Sequence, residues 1–387
     1  MNKLLKNKEL IFVVIITMAI IGLFFIPTGF ENKENSLIVK GKILSVDNSD
    51  VIQHGIIKTG IQDVDIKILN KSYKNKVVKG KNQLVGKLEF DKFLKPNDII
   101  LVGIDYNENQ KITGVNVIDY YRINYELILA FIICLFLISF AGITGVKALI
   151  SFVFTILSIW KLLIPLLLKG YNPLLVTFII VLAITSAIIL LVCGINKKAL
   201  SAIFGSFLGE IFTIILSLYF GKLFHLNGAT KPFSETLLYF GFSYLNLKNI
   251  FLSGIVLSAS GAMMDISVDI AVSLDEIKKQ NPTISIKEFL NSGFTIGRNV
   301  IGTMTTTLLL AYSGSYTTLL MIFMAQSTKA INIFNLSYVS SEILTTLVGS
   351  FGLLLVAPFT AITSTLLYFS KEIFIKNTIK KLRLLKN

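Results

Sequence analysis

Among the ionisable side chains within or at the edge of stretches that otherwise read as apolar helices, four bear most on chemistry: Glu210, Asp265, Asp269 and Arg298. Such a group near a bilayer centre costs about 2.5–3.5 kcal/mol on insertion scales, so each needs a partner, water or a task. Glu210 lies about halfway along its apolar stretch. At helical spacing it shares a face with Ser206, Thr213 and Ser217, and Gly205 and Gly209 lie beside that face. Small residues let a second helix approach and screen the carboxyl from lipid. Two chemistries fit: a neutral acid clamping two helices by a hydrogen bond, or a proton- or solute-coupling group.

Further on, Gly254, Ser258, Gly261 and Asp265 recur at intervals of four, three and four, and Asp269 follows one turn later. Both carboxylates therefore project from one helix face. Together they could hold a cation or exchange a proton; alternatively, Asp265 pairs with Arg298. Arg298 belongs to SGFTIGRNVIGTMTTTLLLAYSGS, residues 292–315; Asn299, Thr303, Thr306 and Ser313 of this stretch, with Thr317 just beyond it, form a polar ladder interrupted by Leu310. Threonines can bond back to their own helix, which makes packing polarity the plain reading. Three polar seams together predict more, namely a polar cavity between the fifth, sixth and seventh spans, opening inward. Gly302 joins Gly205, Gly209, Gly254 and Gly261 as a packing position. Lys161, beside the only tryptophan, Trp160, reads as an interfacial anchor.

The elements that must position these groups follow from hydropathy. Apolar residues make up 53% of the chain and charged residues 16%, with a mean hydropathy of +0.72. That balance points to an integral membrane protein. Spans of a length suited to a bilayer lie near 10–27, 125–142, 146–168, 172–193, 200–220, 249–271, 300–325 and 342–369. About eight are expected, the last kinked or split at Pro358. If Lys3, Lys6 and Lys8 are cytoplasmic, alternation puts Lys147, Lys197, Lys198, Lys278, Lys279, Lys287, Arg298 and the basic tail, 371–387, on the same side. The opposite short loops hold only Lys169, Lys222, Lys231, Lys248 and Lys329. Both termini are thus expected in the cytoplasm. The first span, leaving through FFIPTGFENK without a small-residue cleavage site, reads as an uncleaved anchor.

Residues 31–122 form the one sizeable polar unit, expected outside the cell. SLIVKGKILSV, HGIIKTGIQDVDIKIL, KPNDIILVGIDY and KITGVNVIDYY alternate or run in β-branched residues between turn formers. About five or six short strands in ~90 residues suggest a small OB-like or other barrel. Its aromatics are sparse and its compartment is wrong for nucleic acid. The formal charge of +14 is explained by topogenic loops rather than by one basic patch. Residues 272–299 read as a helix end, a turn at Asn281-Pro282 and an amphipathic helix. Cys134 and Cys193 lie in separate spans, so no disulfide is expected. His54 and His225 are isolated, and neither a metal nor a cofactor is called for. No zinc-protease, nucleophile-elbow or phosphate-loop motif is present, so no enzymatic activity is expected.

GAMMDISVDIAVSLDEI (261–277) followed by GFTIGRNVIGTMTTTLLLAY (293–312) resembles the YibE/YibF-like family of bacterial multi-span membrane proteins. LLIPLLLKGYNP, VAPFTA and the pair Tyr121-Arg122 after the β-rich unit carry the same likeness. Gly297, Arg298, Gly302, Thr303, Met304, Thr307, Ala311 and Tyr312 match the family's G-R-D-x-M-G-T-M-x-N-T-L-I-L-A-Y pattern. Asn299 stands where that pattern has an acid, Ile301 where it has methionine and Thr306 where it has asparagine. Asp269 is an added charge. The resemblance implies a multi-span plasma-membrane protein for which permease is the usual suggestion.

The expected architecture is an α-helical integral membrane protein of about eight spans. It comprises an anchor (1–30), an outer β-rich domain (31–122), a helical membrane domain (123–370) and a basic tail. The expected function is transport of a small solute or ion. The alternative is a non-transporting protein that docks an envelope partner through its β domain. A homo-oligomer is compatible with either.

Overall fold

The computed structural model describes residues 2–30, 36–107, 111–314 and 316–370; the basic tail lies outside them. The chain divides into two compact units, residues 31–139 and residues 1–30 with 140–387.

The first unit is built on six strands: β1 (Ser36–Asp47), β2 (Val51–His54), β3 (Ile57–Ile68), β4 (Val77–Val85), β5 (Ile99–Tyr106) and β6 (Ile112–Tyr120). They run in the order β1-β5-β6-β4-β3-β2, and a further β1–β3 pairing closes five of them into a barrel, with β2 as a flap. All pairings are antiparallel except β4–β6. Alternation puts Val64, Ile66 and Ile68 of β3 and Ile100, Val102 and Ile104 of β5 inside, against Val39 and Ile43. At Gly41 a Cβ would come within 2.6 Å of the Ile66 side chain, so only glycine fits. The expected barrel is present. The strand that pattern reading passed over is β4, whose outward lysines, Lys79 and Lys81, mask its alternation.

One buried polar network fastens residues 86–98 to the barrel. Gln62, fully buried, accepts from Leu94 N at 2.9 Å and from Asn82 Nδ2 at 2.8 Å, and donates to Asn48 Oδ1 at 2.7 Å. Asn82 also donates to the Lys92 carbonyl at 2.6 Å. The Asp91 carboxylate accepts from the amides of Val85, Gly86 and Lys87. Arg122 pairs with Asp119 at 3.0 Å. Burial pushes the Asp119 carboxyl up, but that guanidinium, the Tyr120 amide and the Lys92 charge together hold the group below its usual value.

The helices, in chain order, are α1 (Asn2–Phe25), α2 (Ile123–Ser158), α3 (Ile164–Leu168), α4 (Pro173–Cys193), α5 (Lys197–Leu223), α6 (Ser234–Tyr239), α7 (Leu247–Gln280), α8 (Ile286–Gly314), α9 (Thr317–Ala325), α10 (Ala330–Asn335) and α11 (Ser337–Tyr368). Among the described residues six helical stretches are long and apolar enough to cross a membrane: Lys8–Phe25, Ile123–Leu168, Pro173–Cys193, Lys197–Leu223, Leu247–Gln280 and Ser337–Tyr368. The 46-residue stretch covers the expected second and third spans. Gly142, at φ 56° and ψ −129°, breaks its helical geometry, and a π-helical turn at Ile159–Leu163 joins α2 to α3. The expected seventh span is interrupted, with α8 ending at Gly314 and α9 starting at Thr317. Pro358 sits inside α11 without splitting it.

Local chemistry sets several boundaries. Asn172, Asn196 and Asn246 cap α4, α5 and α7 through their side-chain oxygens. After the turn at Asn281-Pro282, Ser285 and Glu288 bond reciprocally, each side chain accepting from the other's amide. The amphipathic segment and the polar ladder as far as Ser313 are therefore one continuous helix, α8, and Thr317 opens α9.

Within the helical unit, the ends alternate as expected from the loops. Glu9 pairs with Lys147 at 3.5 Å and lies beside Gly194, while Lys197 stands over the Tyr368 ring and the Tyr368 hydroxyl donates to Asp275. The start of α1, the α4–α5 turn and the last turns of α7 and α11 thus share one end. Lys161 donates to the Ile26 carbonyl at 2.9 Å, just beyond the end of α1, in keeping with an anchoring role.

Candidate functional site

The most enclosed polar groups of the helical unit lie on α5. Ser206, Glu210, Thr213 and Ser217 are all fully buried, as their shared face requires. Gly205 and Gly209 explain how. A Cβ at Gly205 would fall 2.0 Å from Thr360 Oγ1, and one at Gly209 would fall 2.2 Å from Val356 Cγ2, so α5 meets α11 almost backbone to backbone. Gly352 of α11 answers from the other side, where a Cβ would lie 2.1 Å from Met263 Cε of α7 and 2.2 Å from Thr213 Oγ1. Three helices, α5, α7 and α11, close on one column.

Inside that column the polar groups are unevenly satisfied. The Ser206 and Ser267 hydroxyls bond across α5 and α7 at 2.7 Å, and Thr213 bonds back to the Gly209 carbonyl at 2.9 Å. Neither Glu210 oxygen has a hydrogen-bond partner among the described residues. Thr185 of α4 faces the carboxyl without closing a bond of normal geometry. The hydrogen-bonded clamp expected as one role for Glu210 is therefore not formed. Ser217 Oγ is also unpartnered.

The α7 seam lies elsewhere. Gly254, Ser258, Gly261, Asp265 and Asp269 all fall on the exposed face of α7, and a Cβ at Gly254 or Gly261 would meet nothing within 4 Å. Among the described residues neither carboxylate forms an ion pair, so the expected Asp265–Arg298 pair is absent. On α8 the packed face is Phe289, Gly293 and Gly297, set against Leu274 and Ile270 of α7 and Ala361 and Ala357 of α11. Arg298, Asn299, Gly302, Thr303 and Thr306 consequently face outward. Thr303 and Thr307 bond back to carbonyls of their own helix at 3.1 Å. The α5 seam is therefore buried, whereas those of α7 and α8 lie on exposed faces. α11 packs against both α5 and α8 and takes the place expected for a direct contact between the fifth and seventh spans.

A second polar group, at the opposite end from Asp275, was missed. Lys231, Tyr316 and Glu342 line a cavity of about 290 Å³ with Phe251, Gly254 and Ser258. Lys231 pairs with Glu342, and its ammonium lies 3.4 Å from the Tyr316 hydroxyl. In the sequence Lys231 is one loop cation among several, and Glu342 merely opens an apolar run. Their separation of 111 residues leaves no periodic signal. Cys134 and Cys193 are free thiols.

Residues 129–370 match the family model described as YibE/F-like protein, and residues 38–120 match the YibE/F family N-terminal domain. No curated protein and no solved structure matches the chain.

Proposed function

The chain belongs to the YibE/F-like family, and from that premise we propose that it is a permease moving a small solute or ion through the polar interior of its helical unit. The observation that carries this reading is Glu210. A carboxyl fully buried in the helical unit and left without a hydrogen bond is poor structural glue. Ionising it there requires an incoming cation, and neutralising it requires a proton, which is the property of a coupling group. Asp265 and Asp269 on the open face of α7 would then serve as surface relays or ligand groups, with Arg298 as an outward cation on α8. The proposal involves no covalent chemistry. It places the protein in the bacterial plasma membrane, termini inside and the β barrel outside, following the lysine distribution.

The test has two steps. Purified protein is screened for thermal stabilisation by ions and metabolites, since a ligand of the native state raises apparent stability. The hit is then followed into proteoliposomes. Glu210→Gln and Asp265→Asn should abolish flux with folding intact; unchanged flux in both overturns the reading.

A second reading has its own support. At the β2–β3 turn of the barrel Ile56 is 80% exposed and Ile52 59%, and Leu88 beyond β4 is 66% exposed. Apolar side chains so presented suit docking of an envelope protein. That reading requires Ile56→Glu to abolish function while the Glu210 substitution leaves it intact.

A further inference from the structure

The cavity between α7, α11 and the α8–α9 junction is built like a receptor for an organic ammonium ion, and the protein's own lysine occupies it. Glu342 supplies the fixed anion. Its side chain is only 13% exposed, and the Tyr316 hydroxyl faces its carboxylate. The Lys231 ammonium is paired with that carboxylate and lies 5.9 Å from the ring centres of both Phe251 and Tyr316. A partly buried carboxylate near two aromatic rings is an arrangement that attracts an alkylammonium group, through charge and through the ring quadrupoles. The rest of the wall, including Leu237, Leu247, Ile250 and Ile255, is apolar and suits a hydrocarbon body.

Lys231 is held differently from Glu342. Its side chain is 39% exposed and comes from the loop before α6, on a flexible stem that can carry the charge into water. Displacing it strands no buried cation, whereas an anionic ligand drawing Lys231 away would leave Glu342 enclosed and unpaired. The asymmetry selects cations over anions.

We propose that Lys231 is a tethered competitor in a site for small organic ammonium ions with an apolar body, with Glu342, Phe251 and Tyr316 as the recognition groups. The inference is independent of the coupling role given to Glu210, because binding is read in detergent without flux.

The probe is phenyltrimethylammonium, with phenylacetate and sodium chloride as controls, on the full-length protein. Lys231→Met should bind the probe roughly tenfold more tightly than wild type, because a site freed of its competitor is competent all the time. Glu342→Gln added to Lys231→Met should abolish that binding. In wild-type protein the probe should expose Lys231 to an amine-acetylating reagent, at least doubling its labelling in mass spectra, while phenylacetate should not. This second readout applies even if Lys231→Met fails to fold. Probe affinity no higher in folded Lys231→Met than in wild type, equal response to phenylacetate, or unchanged Lys231 labelling overturns the proposal.

Discussion

Ser206 on α5 and Ser267 on α7 share a hydroxyl–hydroxyl hydrogen bond of 2.7 Å, one turn before the unpartnered carboxyl of Glu210. The polar column is thus tied at one level and open at the next. Cross-helix hydrogen bonds within membranes average about 0.6 kcal/mol in double-mutant cycles. The cycle of Ser206→Ala and Ser267→Ala should return a coupling near that value by denaturation in mixed micelles, and a coupling of zero would mean the bond is not formed.

Glycine substitutions should separate two kinds of helix face. Gly209→Ala drives a methyl to within 2.2 Å of Val356 Cγ2 and should destabilise by about 1–3 kcal/mol. Val356→Ala should recover part of the loss. Gly261→Ala meets nothing within 4 Å and should leave the melting temperature unchanged or slightly raised. Differential scanning fluorimetry of the three variants checks the contrast.

Replacing Glu210 by leucine removes a buried carboxyl that has no bonding partner. The expected result is a protein at least as stable as wild type in thermal unfolding, with flux lost. A fall of several degrees in melting temperature would restore Glu210 to a structural role.

In the barrel, Gln62→Leu leaves the amide of Leu94 without its side-chain partner and takes from the Asn82 amide one of its two acceptors. At about 1–3 kcal/mol for each stranded group, residues 86–98 should open far more often. Amide hydrogen exchange in that segment should rise by about two orders of magnitude, and that of α5 and α7 should stay as in wild type.

Periodicity read the α5 face well because burial there follows from spacing alone: Ser206, Glu210, Thr213 and Ser217 had to lie together. It also placed the turn at Asn281-Pro282 and the barrel's main strands. It could not say which helix each face would meet. The glycines of α8 decided that, turning Gly293 and Gly297 toward α11 and so sending Asn299, Thr303 and Thr306 outward. The α7 stripe met the same fate, because Met263 and Ile266, roughly opposite Asp265, took the packed side. Lys231 and Glu342 were illegible for another reason, since a pair distant in the chain leaves no trace in any window short enough to show a period.

The glycine contacts among α5, α7 and α11 have a mechanical consequence. With Gly205, Gly209 and Gly352 each filled by a neighbour's side chain, these helices cannot slide past one another by a turn without collision. They form a single strut. On the proposed permease reading, alternation of access would swing that strut as one body rather than ratchet its members, as a rocker and not a screw.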